Sequence, residues 1–299
     1  MGRLSSASIA SPRRVLKDLG ATLEMIQYEH TVFALPFALM GAVLAAEGIP
    51  SANTLGGIFL AMVSARSAAM TFNRLVDQPF DAKNPRTSAR PLVTGRISRG
   101  FAWIFLACCC VLFVVAAAML NRLALLLSLP VLALILGYSY AKRFTWSTHL
   151  ILGASLGCAP LGAWIGVRAA IEWPPVLLGI AVLSWTAGFD ILYACQDIDF
   201  DRRSELHSIP TRWGIASSLR LSRLLHVVMI LCLIAVGRLL ALGFFYYAGV
   251  AGTGLMLAYE HSLVSAHDLS RVNRAFFTVN GCVSIFLFIM TLVDRFAAR

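Results

Sequence analysis

Residues 54–81 read TLGGIFLAMVSARSAAMTFNRLVDQPFD, an apolar stretch that ends in Asn73, Arg74, Asp77 and Asp81. Residues 54–73 carry a single charge, Arg66, and a membrane-spanning helix needs roughly 20 apolar residues. The stretch therefore predicts a transmembrane helix with carboxylates at one mouth. Outward from it the pattern repeats. Apolar runs over 22–47, 54–77, 101–120, 123–141, 146–168, 174–196, 222–239, 243–266 and 275–294 predict nine transmembrane helices. Composition agrees: 59% of the 299 residues are hydrophobic and 13% charged, where a soluble domain carries about a quarter charged residues. The expected fold is all-α and integral to the membrane, with a cytosolic tail over 1–21 and one transmembrane domain over 22–299.

The net charge of +10 suggests a nucleic-acid ligand until its distribution is read. Of the 25 Lys and Arg residues, 18 fall in the N-terminal tail and the even loops, five fall on the opposite side, and Arg66 and Arg74 lie within a span. That asymmetry is the positive-inside signature and places the N-terminus and even loops in the cytosol. No nucleic acid and no obligate protein partner is implied; the surroundings are membrane lipid. No cleavable signal stands at the start. Residues 1–17 hold Ser and Arg with no acid before Asp18, which suits a polar tail in a bacterial inner (cytoplasmic) membrane, or alternatively a transit segment for the mitochondrial inner membrane. The seven cysteines all lie in apolar stretches without metal-ligand spacing and read as small hydrophobes.

Acids are scarce, 15 in all, yet they gather at two helix ends. The second gathering reads Tyr193-Ala194-Cys195-Gln196-Asp197-Ile198-Asp199-Phe200-Asp201. On a helix, residues four apart share a face, which aligns Asn73 with Asp77 and Tyr193 with Asp197 and Asp201; Pro79 is expected to disturb the helix before Asp81. A charge near the bilayer costs up to about 2.5–3.5 kcal/mol at mid-depth, so each cluster needs a compensating partner. Hard divalent cations bound through oxygen supply one, and Mg²⁺ typically takes one or two carboxylates plus phosphates and waters. Pairing with loop arginines is the alternative. Asp77 and Asp197, like Asp81 and Asp201, stand 120 residues apart, an internal repeat of four spans that brings both clusters to one side of a central cavity. Nearby Lys83, Arg86 and Arg90, and Lys142 and Arg143, suit a diphosphate, while each taken singly also serves as a topology signal.

At these residues the sequence resembles the UbiA superfamily of intramembrane prenyltransferases. The likeness is carried by Asn73/Asp77/Asp81, by Asn84-Pro85-Arg86-Thr87 with Arg90-Pro91, by Tyr193/Asp197/Asp201, and by Val272 to Phe277 with Asn280-Gly281. The resemblance implies nine helices around a lipid-accessible cavity, and Mg²⁺ with a polyprenyl diphosphate held by Asn73, Asp77, Asp81, Asp197 and Asp201. It further implies that Lys142, Arg74, Lys83 and Arg143 contact phosphate and that Tyr193 sits beside the reacting centre. The acceptor is then an aromatic acid, 4-hydroxybenzoate first and a dihydroxynaphthoate of menaquinone synthesis second, with the ubiquinone pathway as the expected setting.

Span 1, Ile26 to Pro36, departs from the ubiquinone-pathway pattern and puts the acceptor in question; Glu29 and His30 there contact a substrate or cap a helix. Arg66 reads as a ligand for the acceptor carboxylate or as a group in a hydrated crevice, and Asp190 as a substrate contact or a structural acid. His149 and the group Glu260, His261, His267 and Asp268 read as loop polars. Intramembrane acids and repeats are also features of secondary transporters, the rival class, although transporter sites usually lie near mid-membrane rather than at helix ends beside basic loops.

Overall fold

The computed structural model describes residues 20–26 and 31–297, less the side chains of 31 and 32; Glu29, His30 and the tail before residue 20 lie outside that set. After a helical stretch at 20–26 come α1 (Thr31–Ala46), α2 (Ala52–Asp81), α3 (Arg99–Leu120), α4 (Arg122–Phe144), α5 (Thr148–Arg168), α6 (Trp173–Ala194), α7 (Ile198–Arg203), α8 (Ile209–Leu239), α9 (Phe244–Ser262) and α10 (Val272–Ala297). The described residues contain no strand. Seven segments are long and apolar enough to cross a membrane. The two other expected spans correspond to α1, at 16 described residues, and α9, at 19.

The sequence starts these helices with local chemistry. The side-chain oxygens of Ser51, Ser98 and Asn121 accept from the backbone N–H three residues on, which satisfies donors a helix start leaves open. Ser208 and Thr211 form a reciprocal capping box, with Pro210 in the first turn of α8. Asn121 alone joins α3 to α4, and its amide also donates to the Ile165 carbonyl at 2.7 Å. Gly214 sits at φ +75° and breaks α8 five residues after its start, a backbone that a side chain would strain. Pro79, expected to disturb the helix near Asp81, does not interrupt α2. It lies in the last turn, where the Ala82 N–H still closes onto Gln78 at 3.1 Å, so the helix runs on to Asp81.

The helices form two sets. In one, α2, α3 and α4 pack on one another and on α5; in the other, α6, α8, α9 and α10 close a ring with α1 and α5. The second set holds the main core, with Phe33, Phe37, Trp164, Trp185, Phe189 and Tyr246 buried. α5 and α6 cross at small residues: a Cβ on Gly157 would stand 2.6 Å from the Gly179 carbonyl, and one on Gly153 would strike Leu183. Such close backbone approach is how membrane helices gain packing when hydrophobic burial gives no drive. Large apolar side chains instead face outward, Ile104, Leu126, Leu129, Phe244 and Leu255 among them, as lipid contact requires. Cys108 and Cys282 share that outer face and are exposed rather than buried, and the seven thiols are free.

Candidate active site

The C-terminal ends of α2, α4 and α6 meet at one end of the bundle, and the loop at 82–98 folds over them. Asn73 Nδ2 donates to Asp77 at 2.8 Å, as helical spacing predicts, and Arg74, itself buried, donates to the side-chain Oδ1 of Asn73 at 3.1 Å. The second cluster is not one α-helical stripe. The chain tightens into a 3₁₀ turn at Cys195–Asp197 before α7 resumes, which turns Asp197 beside Tyr193 and sends Asp201 into the interior at 2% exposure. Arg86 bridges the two: it donates to the Tyr193 hydroxyl at 2.9 Å and to Asp197 at 2.7 Å.

Four carboxylates of the two clusters, Asp77, Asp81, Asp197 and Asp201, have a basic neighbour. Arg90 pairs with Asp81 at 2.6 Å, Arg143 stands 3.5 Å from Asp77, and Lys142 stands 3.6 Å from Asp201. The Lys142 carbonyl also accepts from the His207 N–H at 2.7 Å, tying the end of α4 to the loop after the second cluster. Lys83 is exposed, and among the described residues none of the four carboxylates pairs with it. Asp199 is exposed as well. Arg86 and Arg90, which the sequence marks only as basic surroundings, are thus the direct partners of Asp197 and Asp81. The Asn-Pro-Arg-Thr motif was the available signal for them.

Between the helix sets lies a cavity of about 640 Å³. Its depth is apolar, walled by side chains such as Met62, Phe113, Leu127 and Leu134, and its polar end gathers Arg66, Asn73, Arg74, Arg86, Arg90, Tyr138, Asp190 and Tyr193. The Nε and Nη2 of Arg66 are buried without a hydrogen-bond partner. Asp190 accepts from His149 Nδ1 at 2.6 Å, while His149 Nε2 accepts the Ile209 N–H at 3.4 Å; this fixes the proton on Nδ1. His149 is fully buried and is no loop polar, because it sits in the first turn of α5 facing α6.

The donor set fits a divalent cation that arrives with phosphate. No three His, Cys, Asp or Glu side chains among the described residues form a closed metal cage. A buried oxygen of Asp81 and one of Asp201 nevertheless lack any hydrogen bond, and buried carboxylate oxygens ordinarily have partners. One or two carboxylates per ion, completed by phosphate and water, is the ordinary habit of Mg²⁺.

A multi-span bundle with paired aspartate clusters over an apolar cavity defines an integral membrane enzyme that handles a lipid carrying an anionic head. The chain belongs to the UbiA prenyltransferase family, whose model matches residues 34–287. A 4-hydroxybenzoate octaprenyltransferase from Chromohalobacter salexigens is 32% identical over 233 residues, 78% of each chain. Its counterpart from Alkalilimnicola ehrlichii is 31% identical over 260 residues, 86% of this chain and 87% of its own. Among solved structures, a UbiA homolog from Aeropyrum pernix K1 superposes with a TM-score of 0.80 at 36% identity, covering 89% of this chain and 98% of its own. A homolog from Archaeoglobus fulgidus bound to GPP and Mg²⁺ shares the fold at 19% identity, TM-score 0.74, over 92% of this chain and 99% of its own. Family membership sets the transporter reading aside.

Proposed function

We propose that this chain transfers a polyprenyl group from polyprenyl diphosphate to 4-hydroxybenzoate in ubiquinone biosynthesis, using Mg²⁺, with its polar end on the cytosolic face of a bacterial cytoplasmic membrane. The observation that carries the reading is the placing of two aspartate clusters beside the polar end of an apolar cavity, where Arg86, from the loop that follows the first cluster, binds Tyr193 and Asp197 of the second. Relatives about 30% identical over most of the chain bear the 4-hydroxybenzoate name, which supports that acceptor over a dihydroxynaphthoate.

Asn73, Asp77, Asp81, Asp197 and Asp201 would hold the metal. When bound, Mg²⁺ neutralises charge on the diphosphate and so eases its departure. Arg86, Arg90, Lys142 and Arg143 occupy the carboxylates of the free protein and would turn to phosphate oxygens when substrate arrives, with Arg74 alongside. Departure of diphosphate takes the C–O bonding pair and leaves an allylic cation; the apolar walls keep water from it. Tyr193, its ring tilted at 35° against Phe276 with centroids 4.2 Å apart, borders that position. The unpaired face of Arg66 matches the acceptor carboxylate. The ring carbon ortho to the phenol attacks the cation, and Asp190, held by His149, takes the displaced proton; His149 is a positioning residue.

The test offers membranes a labelled polyprenyl diphosphate and Mg²⁺ with either acid. A prenylated 4-hydroxybenzoate supports the proposal. Product from the dihydroxynaphthoate alone moves the acceptor, and product from neither removes both readings.

A further inference from the structure

A second polar cluster lies outside the cavity, among α6, α8, α9 and α10. Trp185 Nε1 donates to the side-chain Oδ1 of Asn280 at 2.6 Å, and Asn280 Nδ2 donates to Glu260 Oε1 at 2.8 Å and to the backbone carbonyl of Ala275 at 3.1 Å. Trp185, Glu260 and Asn280 are fully buried, so Glu260 is no more a loop polar than His149. The Trp185 carbonyl accepts from His226 Nε2 at 3.3 Å, which leaves His226 Nδ1 to accept from His261 Nε2 at 3.0 Å. Within a membrane bundle, buried polar side chains are expensive and mark a function by default. None of these five side chains lines the cavity, so the use of the network must be sought in what it holds.

It holds an irregular turn. α10 widens into a π-helical turn over Ala275–Val279, immediately before Asn280, and Asn280 grips the carbonyl of Ala275 at its start. A π-turn carries one extra residue, so losing it rotates one side of the helix against the other by about 100°. On that turn Phe276 and Phe277 line the cavity. Phe276 lies 4.2 Å from the Tyr193 ring and Phe277 lies 6.3 Å from it, centre to centre. Trp185 is tied to the same wall, because it packs on Phe189 at 4.9 Å and Phe189 packs on Phe276 at 5.2 Å.

We propose that Asn280, with Trp185 and Glu260, is a positioning residue for prenyl transfer: it fixes the π-turn that sets Phe276 and Phe277 against Tyr193 as the wall facing the allylic cation. Aromatic faces stabilise a cation and exclude water. The wall therefore decides whether the cation reaches the acid or is lost to water. In that loss, the C–O bond to diphosphate breaks with its electron pair on diphosphate, a water oxygen supplies the pair for the new C–O bond, and a proton leaves to give the prenyl alcohol. The proposal rests on the prenyl-transfer reading above.

The experiment measures, in membranes with Mg²⁺ and acceptor, total diphosphate release and the ratio of prenyl alcohol to prenylated acid. Asn280→Leu keeps the size but loses every hydrogen bond. Its diphosphate release is expected within about threefold of wild type, with the alcohol fraction raised about fivefold or more. Glu260→Gln still offers an oxygen to Asn280 and is expected to keep the wild-type ratio. Phe277→Leu, at an edge that is 39% exposed, tests the wall without burdening the core and carries the test if Asn280→Leu does not fold. A wild-type ratio in Phe277→Leu, or in folded Asn280→Leu, overturns the proposal, as does an equal fall of both products. Absence of diphosphate release from the wild type would instead remove the underlying reading.

Discussion

Arg66 is the residue whose loss should separate the two substrates most cleanly. Arg66 lines the cavity, with its Nε and Nη2 buried and without partners, seven residues before Asn73, whereas the residues proposed to hold diphosphate lie at the helix end. A charged hydrogen-bonding contact is worth about 1.5–3 kcal/mol. Arg66→Leu is therefore expected to raise KM for the aromatic acid by about 10- to 100-fold with KM for the prenyl diphosphate nearly unchanged, as steady-state kinetics with each substrate varied will show. A rise in both would place Arg66 with the phosphates. His149→Leu leaves Asp190 without its orienting donor, so kcat is expected to fall by about tenfold or more at unchanged KM; a KM effect alone would make the pair a binding feature. The paired Asp clusters were legible because few other reasons exist to set carboxylates at two membrane helix ends at one spacing. The role of His149 was not, because a polar residue near the start of an apolar span looks alike whether it faces loop or core.

At the scale of the helix, the α5–α6 crossing holds Asp190 and His149 in register. Gly157 and Gly179 meet backbone to backbone, so Gly157→Leu must separate the helices. Overpacking typically costs about 1–3 kcal/mol, and the variant is expected to melt earlier in detergent and to lose the His149–Asp190 contact with it. An unchanged melting temperature would mean that the crossing is looser than drawn. Element boundaries were largely readable from hydropathy, since bilayer thickness sets length and composition together. Two features were not. The 3₁₀ turn at Cys195–Asp197 and the π-turn at Ala275–Val279 interrupt helices that hydropathy reads as regular, and although motifs mark Arg86 and Asn280, which bond at these turns, the motifs do not disclose a change of helix type. Arg86 reaches Asp197 across 111 residues of sequence, a pairing that spacing alone does not disclose.

Over the whole molecule, the basic residues sort to the end that carries both clusters. Thiol labelling of single cysteines in a variant without the native seven is expected to mark Ser88→Cys only from the cytosolic side and Ala241→Cys only from the outer side; the reverse pattern would invert the topology. The same end gathers four carboxylates and four basic groups in pairs, the groups that the proposed metal–diphosphate site would use. Removing either cluster should therefore disable the site as a whole. The direct measurement is release of diphosphate from polyprenyl diphosphate by wild type, Asp77→Asn and Asp197→Asn, each with Mg²⁺ or with EDTA. Release in the wild type with Mg²⁺ alone, falling by about 100-fold or more in either variant, is expected. Equal release from wild type and both variants, or release that persists in EDTA, would contradict the assignment of the two clusters to a metal–diphosphate site.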